Sequence, residues 1–263
     1  MTPKKYTTAL SKAQGMIEET FALFSVWEPG MSTQQLASKA IEEGVLSKAT
    51  AKRVRDMVVE QFAPRYLVNG AQAAKQVKIL LGAGASITKL KQILLIHTAR
   101  ANAVLYDYIC ETYWPKYQAG RETVSKDDAI QFLESAVNIG RLPKRWSDKM
   151  MDRVASYLGG CLADFGLVEE GRKSTRRILQ YRIDRLTSLY LVHDTRFSGY
   201  NDSGIIEHPD WKLFGLEGID IVRELQRISN DHFILQYSGE LIRFSWNYKT
   251  MEEALRGIAA EEL

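Results

Sequence analysis

Cysteine and histidine are scarce in this sequence, and their scarcity argues against two classes of site. The 263 residues include two cysteines, Cys110 and Cys161, and four histidines. Each cysteine lies in a helical apolar pattern, so we interpret both as small buried side chains in a reducing compartment and not as a disulfide. The histidines are scattered and lack the close spacing of zinc ligands, so we expect no metal and no cofactor. His97 lies on an apolar helix face and is predicted to be a core residue.

Long apolar runs are also missing. The longest have about four residues, as at 93–96, whereas a membrane helix needs roughly 20. The first residues, MTPKKYTTAL, include two lysines, but no apolar stretch of a secretory signal follows them. We therefore expect a cytoplasmic protein without membrane contact.

Recognisable catalytic motifs are absent as well. The glycine-rich stretch GAGAS at 82–86 lacks the preceding strand and the Lys-Ser/Thr pair of a phosphate-binding loop, and we interpret it as a break between helices. Ser86 and Lys89 match a serine–lysine hydrolase spacing, but the partner motifs of that class are missing. Asp210 has no second carboxylate at a convincing spacing. We therefore expect a protein that is not an enzyme.

Helical periodicity dominates what is present. The chain is 45% hydrophobic, and apolar residues recur at helical spacing in most segments. Alternation with a period of two is confined to ILQYRI (178–183) and to FILQY and LIRFSW (233–246). The sequence predicts a mainly α, multi-helix globular protein with helix-turn-helix and winged-helix-like modules and two small β-hairpins. Its predicted regions are an N-terminal helical region with a helix-turn-helix (1–70), a helical linker or core (71–122), a winged-helix-like module (123–200) and an acidic C-terminal α/β-hairpin region (201–263).

Local signals place several helix ends. Ser125 begins a capping box for a helix that runs to about residue 138. Ser147 is predicted to cap a long helix over 148–165. Pro64 is predicted to end the helix that begins near residue 50, because proline lacks an amide hydrogen and its ring clashes inside a helix.

Charge is divided unevenly along the chain, although the formal total is only +3. Residues 1–128 carry 17 Lys and Arg against 12 Asp and Glu, and residues 129–202 carry 12 against 9. Residues 203–263 carry 6 against 11, so this tail is acidic. The division favours an anionic partner for the first part of the chain and a separate role for the tail, although an uneven solvated surface would show the same pattern.

A first candidate nucleic-acid reader lies within residues 32–63. A helix, a turn that contains Gly44 and a second helix follow the helix-turn-helix layout, and the small Ala40 lets the helices approach closely. Lys39 and Thr50 stand where apolar residues are expected, and plain helical bundles share this geometry, so both interpretations stay open. The second helix would present four cations near its N-terminal end: Lys48, Lys52, Arg53 and Arg55.

A second candidate, at residues 125–185, has the order of a winged-helix module. A helix, a connection and a long helix precede FGLVEEGRKSTRRILQYRI (165–183), which predicts strand, turn and strand. The long helix would lie in the major groove, the hairpin would be the wing, and phosphate contacts would make binding salt-dependent. Gly159 and Gly160 indicate a kink or a close contact in the long helix. The candidate contacts are the cations of this module: Lys144, Arg145, Lys149, Arg153, Arg172, Lys173, Arg176 and Arg177.

Four stretches of the sequence resemble a known family. They are KKYTTALSKAQGMIEET (4–20), ADFGLVEEG with RRILQYRI (163–183), HPDWKLFGL (208–216) and IRFSWNYKTMEEAL (242–255). They are similar to the BrxA family of the bacterial BREX (bacteriophage exclusion) defence systems. The resemblance implies a soluble, helical, non-enzymatic, DNA-associated component that works beside a methyltransferase, an ATPase and other proteins of the same system. It implies no catalytic residues.

The leading hypothesis is a non-enzymatic accessory protein of phage defence that binds double-stranded DNA. The rival hypothesis is a protein–protein adaptor, in which the acidic, aromatic C-terminal region contacts other BREX proteins. A transcriptional regulator that binds one preferred sequence is a third. Basic helices serve both DNA and RNA, so both nucleic acids stay open at this point.

Overall fold

The computed structural model describes residues 5–8, 15–142, 144–171, 173–229, 231–239 and 241–263, and it confirms the predicted mainly α class. The first helices are α1 (Ile17–Val26), α2 (Thr33–Glu42), α3 (Ala51–Met57), α4 (Gln72–Gly82), α5 (Ile87–Ala101), α6 (Ala103–Tyr108) and α7 (Trp114–Gln118). Then follow β1 (Thr123–Ser125), α8 (Lys126–Asn138), α9 (Asp148–Asp164), β2 (Thr175–Arg177), α10 (Arg185–Phe197) and α11 (Asp202–Ile206). The chain closes with α12 (Ile219–Ile228), β3 (Phe233–Ser238), β4 (Leu241–Trp246) and α13 (Met251–Glu262).

Two compact units make up the chain. The first comprises Met1–Ala71 and Leu94–Tyr181, and the second comprises Gln72–Ile93 and Arg182–Leu263. All the predicted nucleic-acid contacts that the structure describes belong to the first unit. None of the helices within the described ranges has the length and apolar character that a membrane crossing requires.

An aromatic cluster forms part of the core of the first unit. Phe24 of α1 packs edge-on against Phe62 and Tyr66, with ring centroids 4.9 and 5.1 Å apart. The ring of His97 lies 5.7 Å from that of Tyr66, and His97 is 4% exposed. The prediction that His97 is a core residue is therefore confirmed.

Pro64 does not end the helix in which it lies, so that prediction was wrong. After α3, wider π-helical turns carry the chain from Val58 to Leu67 with Pro64 inside them. A proline ring clashes with the carbonyl of the residue four positions earlier in regular α-helical turns. The wider turns leave room for the ring, since the hydrogen-bonding pattern shifts by one residue.

The predicted wing differs from a regular hairpin. Only Ile178 of the predicted strand 178–183 is in a β-bridge, with Val168, and the amide of Leu179 donates to the Leu167 carbonyl at 3.0 Å. Gly166, with φ of 79°, turns the chain directly after α9, and the amide of Glu169 donates to the Arg177 carbonyl at 2.8 Å. Instead β2 pairs antiparallel with β1, which the sequence analysis did not predict.

The second unit contains the other predicted hairpin. β3 and β4 pair antiparallel from Phe233↔Trp246 to Ser238↔Leu241, which confirms the prediction. Phe233 of β3 and Trp246 of β4 pack against His193 of α10, with ring centroids 6.2 and 5.4 Å from that of the histidine. Burial lowers the pKa of His193 to about 3, so this histidine is neutral at physiological pH.

Candidate nucleic-acid interface

Helix α9 is held in the first unit by one apolar stripe. Met151, Val154, Leu158 and Cys161 on this stripe are each at most 2% exposed. Ser147 precedes the helix but forms no side-chain capping hydrogen bond, although the sequence predicted one. Because this apolar stripe is buried, the opposite, polar side of α9 faces solvent.

Two predicted contacts lie on that solvent side of α9. Lys149 and Arg153 are exposed and four residues apart, so they share one face of the helix. Arg153 also stands 5.8 Å from the centroid of the Tyr157 ring, one turn further along. Within the described residues, Lys149 forms no ion pair. Both side chains can therefore reach a phosphate without breaking an existing ion pair.

Helix α8 packs against α9, and strand β1 before it pairs with β2 of the wing. The Ser125 side chain accepts a hydrogen bond from the Asp128 amide at 3.2 Å, and the Asp128 carboxylate accepts one from the Ser125 amide at 2.7 Å. This capping box confirms the predicted start of α8. In the ladder of β1 and β2, Ser125 pairs with Thr175 and Thr123 with Arg177.

The predicted wing cations differ in their surroundings. Lys173 and Arg177 are exposed. The Lys173 ammonium is 3.7 Å from the Glu169 carboxylate, a solvent-exposed pair of the kind worth roughly 0–1 kcal/mol. Arg176 is half-buried, and its Nη1 donates to the Glu169 carbonyl at 3.2 Å. Arg172 lies outside the described residues.

Arg145 is already engaged by two carboxylates. Its guanidinium lies 2.6 Å from Glu134 and 2.8 Å from Asp148. These hydrogen bonds, first that of Glu134 and then that of Asp148, hold the pKa of Arg145 above its ordinary value. The neighbouring Lys144 is exposed. Arg145 therefore joins α8 to the start of α9, and a phosphate would have to displace both carboxylates to reach it.

We expect Arg145→Ala and Lys149→Ala to differ in their effect on duplex binding, although each removes one positive charge. The salt slope is the fall in the logarithm of the affinity for each tenfold rise in salt, and each phosphate contact contributes roughly 0.9 to it. One contact therefore strengthens binding about eightfold at 0.1 M salt relative to 1 M. Lys149→Ala should lose about this factor, and Arg145→Ala less than about threefold. Titration of a labelled duplex at several salt concentrations measures both. Equal losses would show that Arg145 makes a contact of the same strength.

The wing cations Lys173 and Arg176 help to line a groove of about 380 Å³ between α9, β1 and the wing. Lys126, the first residue of α8, also lines the groove, and its amide donates to the Ser174 carbonyl at 2.7 Å. Lys126 also forms an ion pair with Asp152 on the exposed side of α9. The groove thus brings together cations that are about 50 residues apart in the sequence.

The four cations of the first candidate module lie elsewhere in the first unit. Lys48 lies in the connection before α3, and Lys52, Arg53 and Arg55 are exposed on α3. Helices α2 and α3 are both anchored by buried side chains, among them Ala40 and Val54. The connection between them, residues 43–50, is longer than the three or four residues typical of a helix-turn-helix. No cation of this module lines the groove beside the wing.

The described residues hold no group of three or more His, Cys, Asp and Glu side chains that could bind a metal ion. Burial raises the pKa of the Cys161 thiol to about 12. Cys161 is therefore protonated at physiological pH and is not a nucleophile. The exposed polar groups of this surface are cations, hydroxyl groups and the carboxylates of Asp148, Asp152 and Glu169.

Sequence reasoning missed four residues that line the groove. They are Ser125, Lys126, Ser156 and Ser174. The only sequence signal for any of them was the capping role of Ser125. Their proximity depends on the pairing of β1 with β2, and a three-residue strand carries no periodic pattern.

Comparison with known proteins gives a family and a fold. The family model described as BrxA matches residues 4–194. A crystal structure of an uncharacterized protein from Magnetospirillum magneticum is similar to this chain, with a TM-score of 0.52 and 17% sequence identity. The similarity covers 73% of this chain and 94% of that chain, and at this identity it shows a shared fold only. No curated protein matches.

Proposed function

This chain belongs to the BrxA family of BREX phage-defence proteins, and we propose that within such a system it is a non-enzymatic accessory protein that binds double-stranded DNA. The observation that carries the proposal is the pair of exposed cations on α9 together with the exposed cations of the wing. Lys149 and Arg153 project from the helix, and Lys173 and Arg177 are exposed on the wing. Phosphate contacts from such residues position a protein on a duplex and supply much of its affinity.

The shape of the module favours DNA over RNA. Helix α9 has 17 residues and is exposed on its cationic side. The major groove of B-form DNA is about 12 Å wide and admits an α-helix, whereas the major groove of A-form RNA is too narrow and deep for side chains to read. The wing cations would then contact the adjacent phosphate backbone.

The test is an equilibrium titration of the full chain onto labelled duplex DNA and duplex RNA of equal length. We expect tighter binding to DNA, with an affinity that falls steeply as salt rises. Similar affinity for many DNA sequences supports an accessory role, and one strongly preferred sequence supports a transcriptional regulator. Absence of binding to DNA at low salt would contradict the proposal.

A protein–protein adaptor is the second candidate, because the hairpin of the second unit exposes apolar side chains. Ile234 is 50% exposed and Leu241 is 56% exposed, and both project from the same face of the β3–β4 ladder. Exposed apolar residues on a strand edge favour a protein contact. Loss of co-purifying BREX proteins from the full-length Leu241→Lys variant, with DNA binding intact, would support this role. Unchanged co-purification would count against this surface.

A further inference from the structure

The groove between α9 and the wing has the chemistry of an anion site. Its polar walls carry three cations and three hydroxyl groups: Lys126, Lys173, Arg176, Ser125, Ser156 and Ser174. The described residues that line it include no Asp or Glu. Its volume of about 380 Å³ is at the small end of the roughly 300–1,000 Å³ typical of ligand pockets. The Ser156 hydroxyl donates to the Asp152 carbonyl at 2.9 Å. The three cations and the Ser125 and Ser174 hydroxyls can donate hydrogen bonds, and phosphate oxygens accept them.

The ion pairs around the groove do not prevent an anion from binding. Asp152 pairs with Lys126, and the Glu169 carboxylate is 3.7 Å from the Lys173 ammonium. Asp152 is 58% exposed and Glu169 is 42% exposed, so both carboxylates are well solvated. Exchanging such pairs for a phosphate is inexpensive, because exposed ion pairs contribute roughly 0–1 kcal/mol.

Gly159 gives an independent observation. Glycine inside a helix is less favourable than alanine by roughly 0.5–1 kcal/mol, yet no positive φ requires it here. An added Cβ would meet only the Arg176 side chain, at 3.7 Å from its Nε, which is ordinary van der Waals contact. Neither backbone geometry nor packing therefore requires the glycine. Its effect is to leave the wall of the groove open between Ser156 and Arg176.

We propose that this groove is a binding site for one phosphate group of the DNA backbone. The hydroxyls of Ser125 and Ser174 and the side chains of Lys126, Lys173 and Arg176 hold this phosphate between α9 and the wing. This inference rests on the proposed function, since it specifies where a duplex phosphate is bound. The same chemistry would bind free phosphate. Gly159 determines access, because any side chain at this position would project into the groove.

The test fills the groove without removing a charge. Gly159→Leu in the full chain should lower duplex affinity about tenfold, the loss expected when one or two charge-assisted hydrogen bonds are not made. Gly82→Leu is the matched control, because Gly82 is exposed at the end of α4 and an added Cβ there meets no atom within 4 Å. Lys126→Gln is a second variant, which keeps the shape of the groove and should lower affinity in the same direction. Circular dichroism and thermal unfolding check that each variant is folded.

Inorganic phosphate tests whether the groove binds an anion, independently of whether the protein binds DNA. At equal ionic strength, phosphate should raise the melting temperature of the wild type above its value in chloride, and should not do so for Gly159→Leu. If the wild type binds no duplex but shows this difference, the groove stands as a phosphate site and the DNA function falls. If wild type and both groove variants bind duplex with equal affinity and salt slope, the inference is overturned. The inference is also overturned if the wild type and Gly159→Leu differ neither in duplex affinity nor in the rise of melting temperature that phosphate causes.

Discussion

Replacing Lys149, Arg153, Lys173 and Arg177 together by alanine is expected to lower duplex affinity about four-thousandfold at 0.1 M salt. All four side chains are exposed, two on α9 and two on the wing. If each contacts one phosphate, the salt slope falls by roughly 3–4 and the affinity by about eightfold per contact. The variant should stay folded, because exposed substitutions of this kind usually change stability by less than about 0.5 kcal/mol each.

A matched variant controls for net charge in this experiment. Lys212, Arg223, Arg243 and Arg256 are exposed in the second unit, and their joint replacement by alanine removes the same four charges. It should change the salt slope by less than about 1, since long-range effects of exposed charges are screened within about 10 Å at 0.1 M salt. An equal loss in the two variants would mean that net charge, and not the face of α9 and the wing, governs binding.

Arg65→Met should destabilise the protein by about 2–4 kcal/mol, since Arg65 is a buried cation that organises several polar groups. Arg65 is 2% exposed, and its guanidinium donates to the Gly15 carbonyl at 2.8 Å and to the Gln61 side chain at 3.1 Å. The Gly15 amide in turn donates to the carboxylate of Asp164, the last residue of α9, at 2.8 Å. Methionine fills a similar volume but leaves the buried acceptors without a donor, which costs roughly 1–3 kcal/mol for each.

Thermal unfolding measures this effect, and a fall in Tm of about 5–15 °C is expected for a chain of this size. Arg55→Met is the control, because Arg55 is exposed on α3 and the change should shift Tm by about 2 °C or less. Because Asp164 ends α9, amide protection at residues 160–167 should fall together with Tm. An unchanged Tm for Arg65→Met would show that the contacts of this arginine do not stabilise the first unit.

Local signals in the sequence identified much of the secondary structure. Ser125 begins α8 because a capping box satisfies backbone donors within a few residues, and no distant partner is needed. The glycine-rich stretch 82–86 separates α4 from α5 as predicted, and the β3–β4 hairpin follows its period-two pattern. Pro64 was misjudged because the effect of proline depends on whether a wider turn can form, and nothing in the residues around it indicates that.

The candidate site itself was predicted only in part. The cations of α9 and the wing are visible as a run of charge, and the structure places Lys173 and Arg176 at one groove. Lys126 was missed because it reaches this groove through the pairing of β1 with β2, which joins segments about 50 residues apart. The role of Gly159 was also hidden, since the sequence shows a glycine in a helix but not the arginine that lies over it.

Hydrogen exchange of the full chain, with and without a short DNA duplex, tests most directly where the duplex lies. DNA binding should slow exchange at residues 123–128 and 148–179, which carry β1, the start of α8, α9 and the wing. Exchange at residues 231–262, which carry the β3–β4 hairpin and α13, should stay unchanged. Slower exchange confined to 203–263, with none at α9 or the wing, would show that the duplex does not lie on α9 and the wing.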